Sequence, residues 1–142
     1  MTGQFLTPLV TKHVSVGRKE LAADLVYRGS NGTEYTVPAG FYSDGASVPR
    51  ICWTLYPPFG GQYEPAAWVH DYLYAYAEDE YGTDNGHISR GEADGLFYEA
   101  METLGFRWTG RNTIHRAVRM GGWNTWRKYR KERKERDARK SQ

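Results

Sequence analysis

From Ser89 to Gly105 the sequence specifies a helix with both of its ends marked. Ala93, Leu96, Phe97, Ala100, Met101 and Leu104 recur at helical spacing. Ser89-Arg-Gly-Glu92 is a capping-box pattern at the start, and Gly105 supplies the stop. A helix with one apolar face must cover that face with another element. The best partner begins near Glu64-Pro65, where proline suits a first helical turn. Ala66, Val69, His70, Leu73, Tyr74 and Ala77 form a stripe there, and the acidic segment from Glu78 to Gly86 ends it. A third helix is expected from about Asn112, carrying Ile114, Ala117 and Val118, with Trp123 and Trp126 as further candidates. Gly121-Gly122 is a point where it can bend or break.

The part before these helices reads as strands. Val10 to Val16 and Leu21 to Val26 are rich in β-formers, and Glu34-Tyr-Thr-Val37 alternates after the turn signal Gly29-Ser-Asn-Gly32. Pro38-Ala-Gly40 closes that strand. The segment from Ser43 through Gly61 is rich in Gly and Pro and reads as an irregular loop. The expected fold is therefore α+β: a small N-terminal antiparallel β-meander, then a three-helix C-terminal part containing the His-Asp helix pair. A chain of 142 residues fits one domain, expected over residues 1–126, with 127–142 as a basic C-terminal helix or tail.

Charge sharpens that division. The net charge is +2, yet residues 123–142 carry nine Lys/Arg against three acids, a net of +6, which leaves −4 for the rest. Arg127, Lys128, Arg130, Lys131, Arg133 and Lys134 are the densest part, a surface that suits nucleic acid or an anionic membrane. Glu132, Glu135 and Asp137 interrupt it at pairing distance, so a solvated terminal helix without an apolar face is the competing reading. No apolar run reaches the roughly 20 residues that span a bilayer. Met1-Thr-Gly-Gln-Phe5 lacks a signal-peptide pattern, and the single Cys52 rules out an intrachain disulfide. The lone cysteine fits a reducing compartment.

The chemistry-bearing residues sit in Trp68-Val-His70-Asp71-Tyr-Leu-Tyr74. On a helical wheel His70 lies near the middle of the apolar stripe, and Asp71 turns about 100° to its rim. Tyr74 lies one turn on, on the side of His70. In the second helix Asp94 flanks the apolar face, whereas Glu92, Glu99 and Glu102 point to solvent. Antiparallel packing lets Asp94 accept a hydrogen bond from His70, leaving the other ring nitrogen to act as a base. Asp44, Asp71 and loop carbonyls can offer oxygen to Ca²⁺, which takes roughly six to eight such ligands. A cation beside a general-base histidine suits ester hydrolysis.

Tyr42-Ser-Asp-Gly-Ala-Ser-Val-Pro-Arg50, Trp53, Val69-His-Asp-Tyr-Leu-Tyr74 and the Asp94 helix resemble a family of tailed phages and prophages, domain of unknown function 1353. That resemblance covers roughly residues 35–125 and implies a phage setting, in the cytoplasm of an infected bacterium or in the virion. More remotely, the stretch resembles prokaryotic secreted phospholipase A2. The carrying residues are Ser43-Asp-Gly-Ala-Ser47, Ala67-Trp-Val-His-Asp-Tyr-Leu-Tyr74 and Asp94-Gly-Leu-Phe-Tyr98 with Met101. This second resemblance implies His70 as general base, Asp94 as its orienting partner, Tyr74 bracing Asp94, and Asp44, Asp71 and the Gly45 carbonyl as calcium ligands. Two cysteines of that family are Ala46 and Ala67 here, consistent with a disulfide lost as a unit.

Two functions follow as expectations. One is a phage-encoded, calcium-assisted hydrolase acting on a lipid or another ester. The other is a non-catalytic phage accessory or virion protein that binds a host factor, a phage protein or nucleic acid. Plainer roles compete for each residue: His70 as a satisfied core histidine, Asp94 as the partner of an arginine such as Arg90, and Asp44-Gly45 as a tight turn.

Overall fold

The computed structural model describes residues 3–16, 18–43, 61–80 and 88–140. Six strands come first: β1 (Gln4–Phe5), β2 (Thr11–Ser15), β3 (Arg18–Leu21), β4 (Leu25–Arg28), β5 (Glu34–Val37) and β6 (Tyr42–Ser43). Four helices follow: α1 (Glu64–Glu80), α2 (Arg90–Thr103), α3 (Trp108–Gly121) and α4 (Trp123–Lys140). The α+β class expected from the pattern is what the chain adopts.

The strands are not one meander. They form two antiparallel three-stranded sheets, ordered β1-β4-β5 and β2-β3-β6. Alternation decides what the first sheet covers. Leu25 pairs with Val37 and Tyr27 with Tyr35, and all four side chains are buried on one face. The second sheet is mostly exposed along β2, and its inner strand β3 pairs Lys19 with Ser43 and Glu20 with Tyr42 of β6. Each two-residue strand, β1 and β6, is too short to leave a signal in the sequence pattern.

The helix signals in α2 resolve as written. Ser89 is the N-cap and accepts from the Glu92 amide at 3.1 Å. At the other end Gly105, at φ +73, donates to Glu102 O and Phe106 donates to Met101 O, a Schellman closure that needs a residue tolerant of positive φ. Two expectations change. Helix α3 begins at Trp108 rather than near Asn112. Gly121-Gly122 divides the third helix in two, so the helical part has four members.

Helix α1 is buried almost all round, from Tyr63 ahead of it through Ala75, rather than along one stripe. The first sheet, α2 and α4 cover it on different sides. Helix α4 runs unbroken through residue 126 and packs on α1, with Trp126 and Tyr129 against the core. Apolar packing in this helix ends at Tyr129, and from Lys131 to Lys140 most of the described residues are exposed. No helix among the described residues is long and apolar enough to cross a membrane.

Candidate functional site

Helices α1 and α2 run antiparallel: Tyr63 at the start of α1 meets Phe97 and Phe106, while Tyr74, eleven residues on, meets Asp94. This brings His70 opposite Asp94. His70 Nε2 lies 2.7 Å from Asp94 Oδ1, with both side chains fully buried. The imidazole stacks on Phe97 at 4.5 Å and tilts against Tyr74 at 4.2 Å between ring centres. These two rings fix its plane, and Asp94 fixes its rotation.

Asp94 collects four donors. Oδ1 accepts from His70 and from the Tyr74 hydroxyl at 2.6 Å. Oδ2 accepts from Arg119 at 2.9 Å and from Arg90 at 3.3 Å. Arg90 also donates to the Val118 and Arg119 carbonyls, both at 3.0 Å, and so closes the C-terminal turn of α3. Its guanidinium lies 4.0 Å from the Trp123 ring centre. Gly122, between α3 and α4, lets that junction approach closely. A Cβ there would come within 2.4 Å of Val118 O and 2.8 Å of the Tyr74 hydroxyl.

Electrostatics set the protonation states. Burial pushes the Asp94 carboxyl up, but hydrogen bonds from His70, Tyr74 and Arg119 outweigh it and hold the group below its ordinary value. Burial pushes His70 down, the bond to Asp94 counters this in part, and Arg90 reinforces it, so the ring is neutral near pH 7. An ionised Asp94 has no proton to give. Nε2 must therefore carry the ring hydrogen, and Nδ1 is left with a bare lone pair. Nδ1 is buried and has no hydrogen-bond partner among the described residues.

Asp71, one residue on from His70, faces the second sheet instead of α2. It is 2% exposed and accepts a hydrogen bond from the Ser43 hydroxyl of β6. The short side chain of Asp71 thus ties α1 to the second sheet. Ser43 directly precedes Asp44 and Gly45, and those two expected cation ligands lie outside the described residues. So do Ala46, Cys52, Trp53 and the acidic segment after residue 80. Among the described residues no group of three or more His, Cys, Asp or Glu side chains is placed to hold a metal ion.

The structure thus brings together His70, Tyr74 and Asp94, and adds Arg119 and Ser43, which sequence reasoning missed. Arg90, weighed only as a rival partner for Asp94, binds it alongside His70. The spacing of Arg90 and Asp94, four residues apart on one helix, was a usable signal. Arg119 and Ser43 left none, since each reaches the site from another element. Glu99 is a correction: it is half-buried and accepts from the Tyr27 hydroxyl and from the Ser30 amide and hydroxyl. The basic residues of α4 divide as well. Arg127, Lys128, Lys131 and Lys134 are exposed, while Arg130 and Arg133 are half-buried. Arg130 stacks on Trp126 at 4.3 Å and donates to the Tyr74 carbonyl.

A family described as "Protein of unknown function (DUF1353)" matches residues 19–118, well over half of the chain. The chain is also similar to "Uncharacterized protein y4jT" of Sinorhizobium fredii (strain NBRC 101917 / NGR234), 40% identical over 55 residues. That match takes in 38% of this chain and only 16% of the rhizobial protein. No solved structure matches the chain.

Proposed function

We propose that this chain, which belongs to the DUF1353 family, is an ester hydrolase of the phospholipase A2-like type with His70 as its general base. The observation that carries this reading is the orphaned Nδ1: a buried ring nitrogen with a bare lone pair, held in place by a carboxylate on the opposite nitrogen. Leaving a buried acceptor unpaired costs stability, about 1–3 kcal/mol, and calls for a reason. A base waiting for a proton is such a reason.

Nδ1 takes a proton from a water molecule as that water attacks the ester carbonyl carbon. The resulting imidazolium is stabilised by Asp94, which stays ionised because Arg90 and Arg119 hold its second oxygen. The proton on Nδ1 then passes to the departing alcohol as the carbon–oxygen bond breaks, and the ring returns to its starting state. His70 is fully buried, so ester and water reach Nδ1 only when the protein around it opens. The proposed cation ligands, Asp44, Asp71 and the Gly45 carbonyl, are all oxygen donors, which suits Ca²⁺. Bound there, Ca²⁺ would supply charge for the developing oxyanion. The resemblance to phage and prophage proteins supports a role in an infected bacterial cell or a virion.

Hydrolysis of phospholipid vesicles and of a small aryl ester, with Ca²⁺ or with EDTA, tests the reading in wild type and His70→Gln. Glutamine can still donate to Asp94 but cannot take the proton. The expected result is a loss of roughly 100-fold or more in rate. Equal rates in the two proteins, or no hydrolysis by either, end the proposal.

A second reading is favoured by the four donors that Asp94 satisfies. The cluster then acts as a polar clamp joining α1, α2 and α3, and the protein works by binding a host factor, a phage protein or nucleic acid. Under that reading His70→Gln folds and functions as wild type.

A further inference from the structure

Away from His70, a groove runs between the second sheet and α4. Its two adjoining clefts, of about 360 Å³ and 420 Å³, share Arg18, Tyr42, Tyr129 and Glu132. Arg18 enters from β3 and Tyr42 from β6. Tyr76 of α1 and Arg136 of α4 line the first cleft, and Lys128 lines the second. Cations and aromatic rings are interleaved here: the Arg18 guanidinium lies 4.6 Å from the Tyr42 ring centre, and that of Arg136 lies 4.7 Å from Tyr76. Among the described residues neither Arg18 nor Lys128 forms an ion pair with a carboxylate.

We propose that this groove binds single-stranded nucleic acid, bases stacking on the Arg18–Tyr42 and Arg136–Tyr76 layers and phosphates meeting Arg18 and Lys128. A guanidinium stacked on a ring keeps its N–H edge free for phosphate oxygens, and its outer face can take a base. Glu132, shared by both clefts, is an acceptor suited to base amino groups and sugar hydroxyls. The exposed basic row of Arg127, Lys128, Lys131 and Lys134 continues outward along α4 and can follow the backbone. Clefts of this volume admit individual unstacked bases rather than a duplex, and their concave shape does not match a flat membrane. The proposal is independent of the chemistry at His70.

Fluorescence polarisation of labelled oligothymidylate against the full chain tests it, over a range of salt concentrations. Duplex DNA and phosphatidylglycerol vesicles serve as competitors. Binding at low salt is expected, weakened by roughly tenfold in Tyr42→Ala and retained in Tyr42→Phe, which keeps the ring. Arg18→Ala should lower the salt slope by about 0.7, the effect of one lost phosphate contact on a single strand. Circular dichroism on each variant confirms that the fold is intact. No binding at low salt, binding indifferent to Tyr42→Ala, or stronger competition by duplex or vesicles than by unlabelled oligothymidylate would overturn the assignment.

Discussion

His70 and Asp94 meet at 2.7 Å in a space closed to water, one from each of two antiparallel helices. The carboxylate is also the shared acceptor of Tyr74, Arg90 and Arg119. A single buried charge thus organises three helices, and its surroundings yield the first two predictions.

Asp94→Ala strips four donors of their acceptor and leaves Arg90 buried without its carboxylate. Breaking a buried ion pair from one side costs about 3–5 kcal/mol. The measurement is the urea unfolding midpoint with an unchanged slope. A loss below about 1 kcal/mol would show that the clamp contributes little to the fold.

Acidification should destabilise the protein through His70. Its pKa in the folded state lies below the ordinary 6.5, chiefly because burial disfavours the charged ring. Between the two values the unfolded chain binds a proton that the folded protein refuses, so stability rises with pH through that window. It is fully present above about pH 6.5 and is lost progressively as pH falls toward the folded value. Asp94, held below its ordinary 3.8, adds a second loss at lower pH in the same direction. Urea midpoints should therefore drop from about pH 7 to about pH 5 in wild type and flatten in His70→Gln. A midpoint that rises on acidification would contradict the assigned ring state.

Gly122→Ala is expected to destabilise by about 1–3 kcal/mol through overpacking, although φ there is −75° and any residue can adopt it. The added methyl group must displace the Val118 carbonyl or the Tyr74 hydroxyl. Thermal unfolding checks the cost. A neutral outcome would mean that α4 shifts freely relative to α1.

Glu99→Ala and Glu102→Ala separate two carboxylates of one helix that look alike in sequence. Glu99 satisfies the hydroxyl of Tyr27, whose ring is fully buried, at 2.5 Å and also joins Ser30 to α2. Among the described residues Glu102 pairs with Arg111 alone, at 3.4 Å, and its side chain is 40% exposed. Losses of about 1–3 kcal/mol for Glu99 and less than about 1 kcal/mol for Glu102 are expected in chemical denaturation. Equal effects would refute the distinction.

Much of the fold was legible because helix signals are local. Ser89, Gly105 and the apolar repeat between them fixed α2 without any tertiary contact, and the same repeat placed His70 inward on α1. Strands of two residues carry no period, so β1 and β6 were invisible and the two sheets read as one meander. Helix α3 lacks a side-chain cap hydrogen bond, which is why its start was misplaced.

By itself the amino-acid order determined that His70 and Asp94 each turn inward from their own helix, so that antiparallel packing of α1 on α2 suffices for their encounter. Tertiary structure alone decided which groups complete that encounter. Arg119 arrives from α3, Ser43 reaches Asp71 from β6, and Gly122 sets how closely α4 may approach. The physical reason is that periodicity reports the direction of a side chain relative to its own element. The partner it meets depends on how other elements pack, which no local pattern encodes.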